Sequence, residues 1–550
     1  MTHVSRADFL RLNLRPTAAP PVVNGLAPYT GPFGKQEAGH LLARATFGAT
    51  YAQLNEAVDL GLEGTLDRLF EDLSLPADPL IFSPLDGGGE VGETWIDKPY
   101  PNDENRMRTA VIRIRSMYAY LGDQMLNEGI HLRQTMLLFW HNHFAINMIE
   151  DPRYNYRYLT TLQEYAFGDF RALVKAMTID PLMLRFLNGN QNSVEAPNEN
   201  YARELLELFT IGKGPQVADG DYTFYTEDDV IAMAKSLTGW RDVGLLSTTT
   251  GEFGSVFRPV RHDPSTVQLS HRFGNRQLPS SGENTYSDLV DLILEQDEVA
   301  RFIVRKLYRW FVYYDITAET EANVIEPLAT QFRESNYQIG PVLRTLLASE
   351  HFFDVLSQGP MIKHPLDFVL GLMRKTEVRQ TGNDRRLLNL YVAISGFTRE
   401  IGMTHFTPPN VAGWKAFYQE PLYYRQWINS ATLPRRQQMS SALLSGNAEV
   451  QNYGVLEFSL LDIVTQFPDP IQVLPMIDEW LLLLFPRPVP DAQRAYLRDI
   501  LLPGLPDDQW TVEYVEWLDS GDDPNLRQAI ENKLRRMIRA MTEMPEFQLS

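Results

Sequence analysis

Apolar residues recur at spacings of three and four along most of this 550-residue chain, and a period near 3.6 is that of amphipathic helices. Residues 37–48 end on Gly48, a helix stop, and Leu54 to Phe70 repeat the pattern, so the two segments are expected to pack as neighbouring helices. Further helices are expected at about 104–125, 132–144, 156–177 and 199–209, then at 286–314, 319–332, 339–347, 366–373 and 386–401. The texture changes between Gly239 and Pro279, where Thr248-Thr249-Thr250-Gly251 and Phe253-Gly254-Ser255-Val256-Phe257 read as strand and turn. The expected fold class is therefore mainly α, a large multi-helix domain with a small β-hairpin excursion near 245–275. Roughly three-fifths of the residues should be helical, against about one third in an average protein.

Punctuation along the chain suggests three parts. Residues 1–34 hold five prolines and little periodicity, and read as an extended N-terminal arm. Residues 35–440 form the main helical domain, and 441–550, with helices at 476–484, 492–501 and 526–544, form a C-terminal helical subdomain. Residues 75–101, rich in proline and carrying Gly87-Gly88-Gly89, form a loop long enough to suggest a lid or an interaction surface.

Charge and cysteine usage narrow the chemistry. Fifty basic against seventy acidic residues give a formal charge of −20, which opposes binding to nucleic acid. There is no cysteine, so disulfides, thiolate nucleophiles and thiolate-bound metals are excluded. The segment Ser5-Arg6-Ala7-Asp8-Phe9-Leu10-Arg11 is similar to a degenerate twin-arginine export motif, but no continuous apolar stretch follows it. The longest apolar run, Trp480 to Phe485, is too short to span a bilayer. A soluble, cysteine-free acidic protein without an intact signal peptide is expected, cytoplasmic by default with export left open.

Two polar clusters stand out. His141, Asn142 and His143 sit at the end of an otherwise apolar helix, and burying each without a partner costs on the order of 1–3 kcal/mol. They need hydrogen bonds within the core, or a metal. Asn200, Arg203, Glu204 and Glu207 fall at i, i+3, i+4 and i+7 and share one helix face. Such a face is a solvated surface by default, yet two carboxylates at i and i+3 also suit a helical metal site opposite histidines. His262-Asp263 before Pro264 is expected in an extended or turn conformation. Trp240 after Gly239, and Asn410 and Trp414 flanking Gly413, belong to tight loops able to line a pocket.

The run Trp140-His141-Asn142-His143-Phe144, the segment Asn200 to Phe209, Tyr225-Thr226-Glu227-Asp228-Asp229-Val230, Leu237-Thr238-Gly239-Trp240, His262-Asp263, Ile362-Lys363-His364-Pro365 and Pro408 to Trp414 together resemble domain-of-unknown-function family 1800, in the family's order. The resemblance implies a mostly helical bacterial protein, often encoded beside a phosphatase- or sulfatase-like partner, and names no reaction. Its signature elements coincide with the two polar clusters. The leading expectation is an enzyme, a hydrolase or oxidoreductase, with a metal-assisted site. His141, His143, Glu204 and Glu207 would hold zinc, manganese, iron or copper, and Glu204, Glu207, His262 and Asp263 would serve as catalytic or orienting groups. Asn200, Arg203, Trp240, Asn410 and Trp414 would contact substrate. The competing expectation is a noncatalytic assembly protein whose polar cluster fixes helix packing and whose arm and 75–101 loop engage the phosphatase-like partner. The metal reading requires the 141–143 turn to face the 200–207 stripe across helices about 8–10 Å apart.

Overall fold

The structure is a computed structural model that describes residues 25–380, 384–445, 449–450 and 454–550. Most of the predicted arm and the twin-arginine-like segment lie outside the described residues. The protein is 57% helical, and its strands form only small antiparallel sheets, so it is mainly α.

Local sequence explains where the helices start. Thr50, Asp169, Asp180, Thr226 and Asp523 each cap a helix by accepting backbone N–H groups of its first turn, satisfying donors that have no partner inside the helix. The single helix expected over 156–177 is two, Pro152–Glu164 and Phe170–Thr178. The break falls where Gly168 precedes the Asp169 cap, and the chain turns there. The 286–314 pattern likewise divides into Thr285–Leu294 and Asp297–Phe311.

The excursion is two short hairpins. Trp240–Val243 pairs with Gly254–Phe257, and Val267–Gln268 pairs with Gln277–Leu278. It begins earlier than expected, because Trp240 is already in register with Phe257. The Thr248 to Gly251 run forms the connecting loop rather than a strand. Its Gly251 lies so close to the Asp97 carbonyl that no Cβ would fit.

One continuous core runs through the molecule. The helix Lys35–Ala45 packs on Tyr51–Leu69 and on Val473–Leu484, and Asp384–Glu400 lies along Arg106–Asn127. The helix Pro524–Glu543 gathers the last helices around itself. The apolar run at Trp480 faces inward, with Trp480, Leu483 and Leu484 buried. No helix among the described residues is long and apolar enough to cross a membrane.

The 71–105 segment holds no regular element beyond an isolated Leu80–Thr94 bridge, yet two fully buried ion pairs fasten it. Arg113 binds Asp86 through Nε at 2.9 Å and a terminal nitrogen at 2.8 Å, and donates to the carbonyls of Lys98 and Pro99. Arg153 grips Asp151 the same way, at 3.0 and 2.7 Å. Asp151 also accepts the Tyr100 hydroxyl and the Leu246 N–H. Both guanidinium groups lie 4.7 Å from the Tyr100 ring centroid. The loop is therefore clamped to the helical body and to the hairpin loop at 244–251, where Arg153 reaches two carbonyls.

Candidate functional site

The helix Arg133–His143 ends in three successive polar side chains, and steps of about 100° per residue send each one in a different direction. His141 Nε2 accepts the Phe406 N–H at 2.6 Å, so its Nδ1–H donates to the Tyr158 hydroxyl at 2.9 Å, which in turn donates to the Phe144 carbonyl. Asn142 Oδ1 accepts the Trp414 N–H at 2.9 Å. His143 Nε2 donates to the Phe209 carbonyl at 3.0 Å, and its Nδ1 accepts from the Lys306 ammonium at 3.0 Å. Lys306 also donates to the Leu208 carbonyl. Three side chains thus bind three chain segments from distant parts of the sequence.

The same network occupies the two histidines of the expected metal site. All four ring nitrogens of His141 and His143 are engaged by protein groups, and burial holds both imidazoles far below their usual pKa. The 141–143 turn and the 200s do meet, but through a backbone carbonyl and the Phe144–Phe209 ring contact at 5.1 Å. The carboxylates are directed elsewhere. Glu207 accepts from the Tyr225 hydroxyl at 2.9 Å and pairs with Lys213. Glu204 is half-buried beside it, and burial followed by the Glu207 charge pushes its carboxyl up. No group of three or more His, Asp or Glu side chains placed to hold an ion occurs among the described residues. Residues 205–210 wind as a π turn, and Phe209 meets His143 through its carbonyl while Glu204 and Glu207 are partly solvated.

The remaining expected site residues have local duties. Arg203 bridges Glu199 and Glu227, and Asn200 is exposed. His262 donates to the Thr238 carbonyl at 2.9 Å and accepts from the Ser280 hydroxyl at 2.8 Å, and Asp263 accepts the Ser265 N–H to close a turn. Trp240 is buried against Phe257 and Tyr286 within the hairpin. Asn410 folds its own turn by accepting the Ala412 N–H, and Trp414 is buried behind it. These side chains take their hydrogen bonds and ion pairs in separate groups.

A different set of residues does converge. A narrow cleft of about 40 Å³ lies between the 35–45 helix, the Asp297–Phe311 helix, the start of the Pro365–Lys375 helix and the loop after Trp414. Trp310, Tyr314, Phe417 and Trp427 supply apolar walls, with Trp310 stacked on Phe417 at 4.3 Å. Arg44, His364 and Asp367 supply the polar groups. His364 caps the 365–375 helix, its Nδ1 accepting the Asp367 N–H at 3.1 Å, while Pro365 occupies the first helical position. That bond leaves Nε2 carrying the proton, and Nε2 takes no partner among the described residues. The Asp367 carboxylate accepts no hydrogen bond there either. Arg44 Nε and Thr135 Oγ1, both buried in the cleft lining, lack protein partners, as do His405 Nε2 and Trp414 Nε1 behind it. Buried polar groups are nearly always paired, so this concentration marks the cleft out. His364 could have been singled out from the sequence, since Lys363-His364-Pro365 places a polar cap before a helix-starting proline. The nearness of Arg44 could not.

The buried histidines make acid stability an observable. Burial pushes His40 down to about 3 and His405 to about 4, and lowers His141, His143 and His364 as well. Between the unfolded value of about 6.5 and these folded values, only the unfolded chain takes up the protons. Stability is then lost as pH falls, by about 1.4 kcal/mol per pH unit for each histidine. Asp180, pushed up to about 7 by burial, acts in the opposite sense and offsets part of the loss. The urea midpoint is expected to drop clearly from pH 7 to pH 4.5, and an unchanged midpoint would contradict the neutral buried imidazoles.

The sequence profile of the family described as "Protein of unknown function (DUF1800)" matches residues 40–549. The chain belongs to this family. No curated protein and no solved structure matched it. Within this DUF1800 member, the His-Asn-His signature holds the loop that carries the Pro408 to Trp414 signature, and residues 415–427 beyond that loop, together with the Lys363-His364-Pro365 signature, border the cleft.

Proposed function

We propose that this protein binds a small organic acid bearing an apolar ring in the Arg44–His364–Asp367 cleft and exchanges a proton with it, the acid–base equipment of a hydrolase. The observation that carries this reading is His364 Nε2, held at the cleft by a helix cap and left without a partner beside an unpaired carboxylate. Arg44, which stays cationic at neutral pH although burial pushes it down to about 10, would attract the acidic group, and the aromatic walls would take the ring. His364 would donate from Nε2 and recover the proton with the Asp367 charge favouring its imidazolium form. The test uses p-nitrophenyl acetate as substrate and benzoate as competitor. Turnover above the spontaneous rate, slowed by benzoate and reduced about tenfold or more in His364→Gln with the helical circular dichroism retained, is the expected result. A His364→Gln protein that turns over at the parent rate sinks the proposal.

A second reading, assembly with a phosphatase- or sulfatase-like partner, draws support from the clamped 71–105 segment. Leu80, Leu85 and Val91 on it, and Met107 and Val111 just beyond it, are each more than half exposed. Apolar groups presented on a loop that two buried ion pairs immobilise fit a preformed docking face. Leu80→Ser with Val91→Ser should abolish co-purification with the co-expressed partner while leaving the urea midpoint unchanged. Retained co-purification removes this reading.

A further inference from the structure

The helix Asp508–Asp519, in the C-terminal part of the chain, is apolar on two faces. At steps of about 100° per residue, Trp510, Tyr514 and Trp517 fall within about 60° of one another, and all three are buried. Trp510 donates to the Pro470 carbonyl at 2.9 Å, Trp517 to Asp522 at 2.8 Å and Thr511 to the Ile471 carbonyl at 3.0 Å, so the helix is fixed to the body. Val512, Val515 and Leu518 fall within about 120° of one another on the far side, and all three are exposed. Ile471, exposed too, adjoins this strip through Thr511, which falls in the same arc.

The strip is bordered by acid. Asp508 and Asp519 stand at its two ends and Glu516 along one edge, all three exposed, and none of them has an ion pair or a side-chain hydrogen bond among the described residues. Asp507, Glu513 and Asp522, by contrast, are paired with Arg498, Lys533 and Arg527. The helix carries no lysine or arginine, and Asp519 lies in its last turn, where the partial negative charge of the helix end disfavours a carboxylate. Apolar side chains left in water beside carboxylates left without counter-charge call for one partner that supplies both cover and cations.

We propose that this face docks a basic amphipathic helix of a partner protein. The apolar residues of that helix, at i, i+3 and i+7, lie on Val512, Val515 and Leu518, and its lysines or arginines meet Asp508, Glu516 and Asp519. A second copy of the chain is disfavoured, because its own face brings the same three acids against these. The buried aromatic anchors hold the face in place before binding, so association orders little that was free. No residue of the Arg44–His364–Asp367 cleft or of the 71–105 segment takes part, and the inference stands apart from both readings above.

Fluorescence anisotropy on the full chain tests this with a labelled helical peptide of about 18 residues, leucines on one face and lysines flanking them. The control peptide carries glutamate at each lysine. One lysine peptide should bind per chain, about tenfold or more tightly than its control. Because the net charge of −20 attracts any polycation, the variants decide the site. Val515→Ser with Leu518→Ser, and separately Glu516→Lys with Asp519→Lys, should each lose about tenfold in affinity at an unchanged urea midpoint. Val217→Ser, at an exposed valine of another segment, should bind as the parent does. Equal binding of the two peptides overturns the proposal, as does parent-like binding by either double variant or an equal loss in Val217→Ser. Sedimentation velocity covers the second copy: a dimer of the chain that Val515→Ser with Leu518→Ser dissolves would make the face a self-association surface and overturn the proposal as well.

Discussion

Arg113→Ala is expected to cost about 3–5 kcal/mol of stability, among the largest effects of any single substitution away from the apolar core. The guanidinium is fully buried, binds Asp86 through two parallel hydrogen bonds and donates to backbone carbonyls of the 95–99 segment. Removing it strands a buried carboxylate and several carbonyls together, and the desolvation of those groups is then uncompensated. Limited proteolysis should cut within 71–105 before any other segment opens, because that stretch holds no regular element and loses one of its two buried ion pairs. Arg113→Lys keeps the charge but loses the fork geometry, and should fall between the parent and the alanine variant. The double change Arg113→Met with Asp86→Leu should be less destabilised than Arg113→Ala alone, since neither partner is left charged. A urea midpoint for Arg113→Ala within about 1 kcal/mol of the parent would show that the pair is not a clamp.

Gly413→Ala is expected to be the other severe substitution. Gly413 has φ of +84°, a left-handed conformation that L side chains rarely adopt. A Cβ there would overlap both the side-chain oxygen and the carbonyl of Asn142. Strain of about 1–3 kcal/mol adds to the loss of the Asn142–Trp414 bond, worth about 1 kcal/mol with more if the Trp414 N–H is left unpaired. Asn142→Ala placed on top of Gly413→Ala should rescue only part of the loss, because the overlap with the Asn142 carbonyl persists. Chemical denaturation measures both variants. The two predictions differ in kind: the first removes charge compensation, and the second forces apart a close backbone approach that only glycine permits. If Gly413→Ala were neutral, the 408–414 loop would not be seated on the His-Asn-His turn.

Residues 141–143 show how far sequence reasoning reached into the site. Their polarity within an apolar helix required partners, and burial bears that out. It could not say which partners, because besides Tyr158 and Lys306 they are backbone groups of Phe406, Trp414 and Phe209, and every residue offers the same N–H and C=O. The i, i+3, i+4, i+7 face at 200–207 was read with a regular α-helical phase. Even in that phase Phe209 lies roughly 200° around from Glu207, and it is the Phe209 carbonyl that reaches His143. His262 was equally conspicuous in sequence, and its two bonds fall inside the hairpin excursion for the same reason: a histidine that must be satisfied accepts the nearest backbone and hydroxyl groups. Arg44 and Asp367 carried no signal, since a basic or acidic residue on an amphipathic helix is ordinary until a second element covers it.

Periodicity, capping residues and the absence of cysteine follow from short-range physics, and those determined the helical class, most helix starts and the exclusion of thiol chemistry from the chain alone. The site is a long-range matter. Which helix face is buried against which, and whether a charge meets its counter-charge across a long stretch of sequence, depend on how the helices pack, and only the tertiary structure decided them.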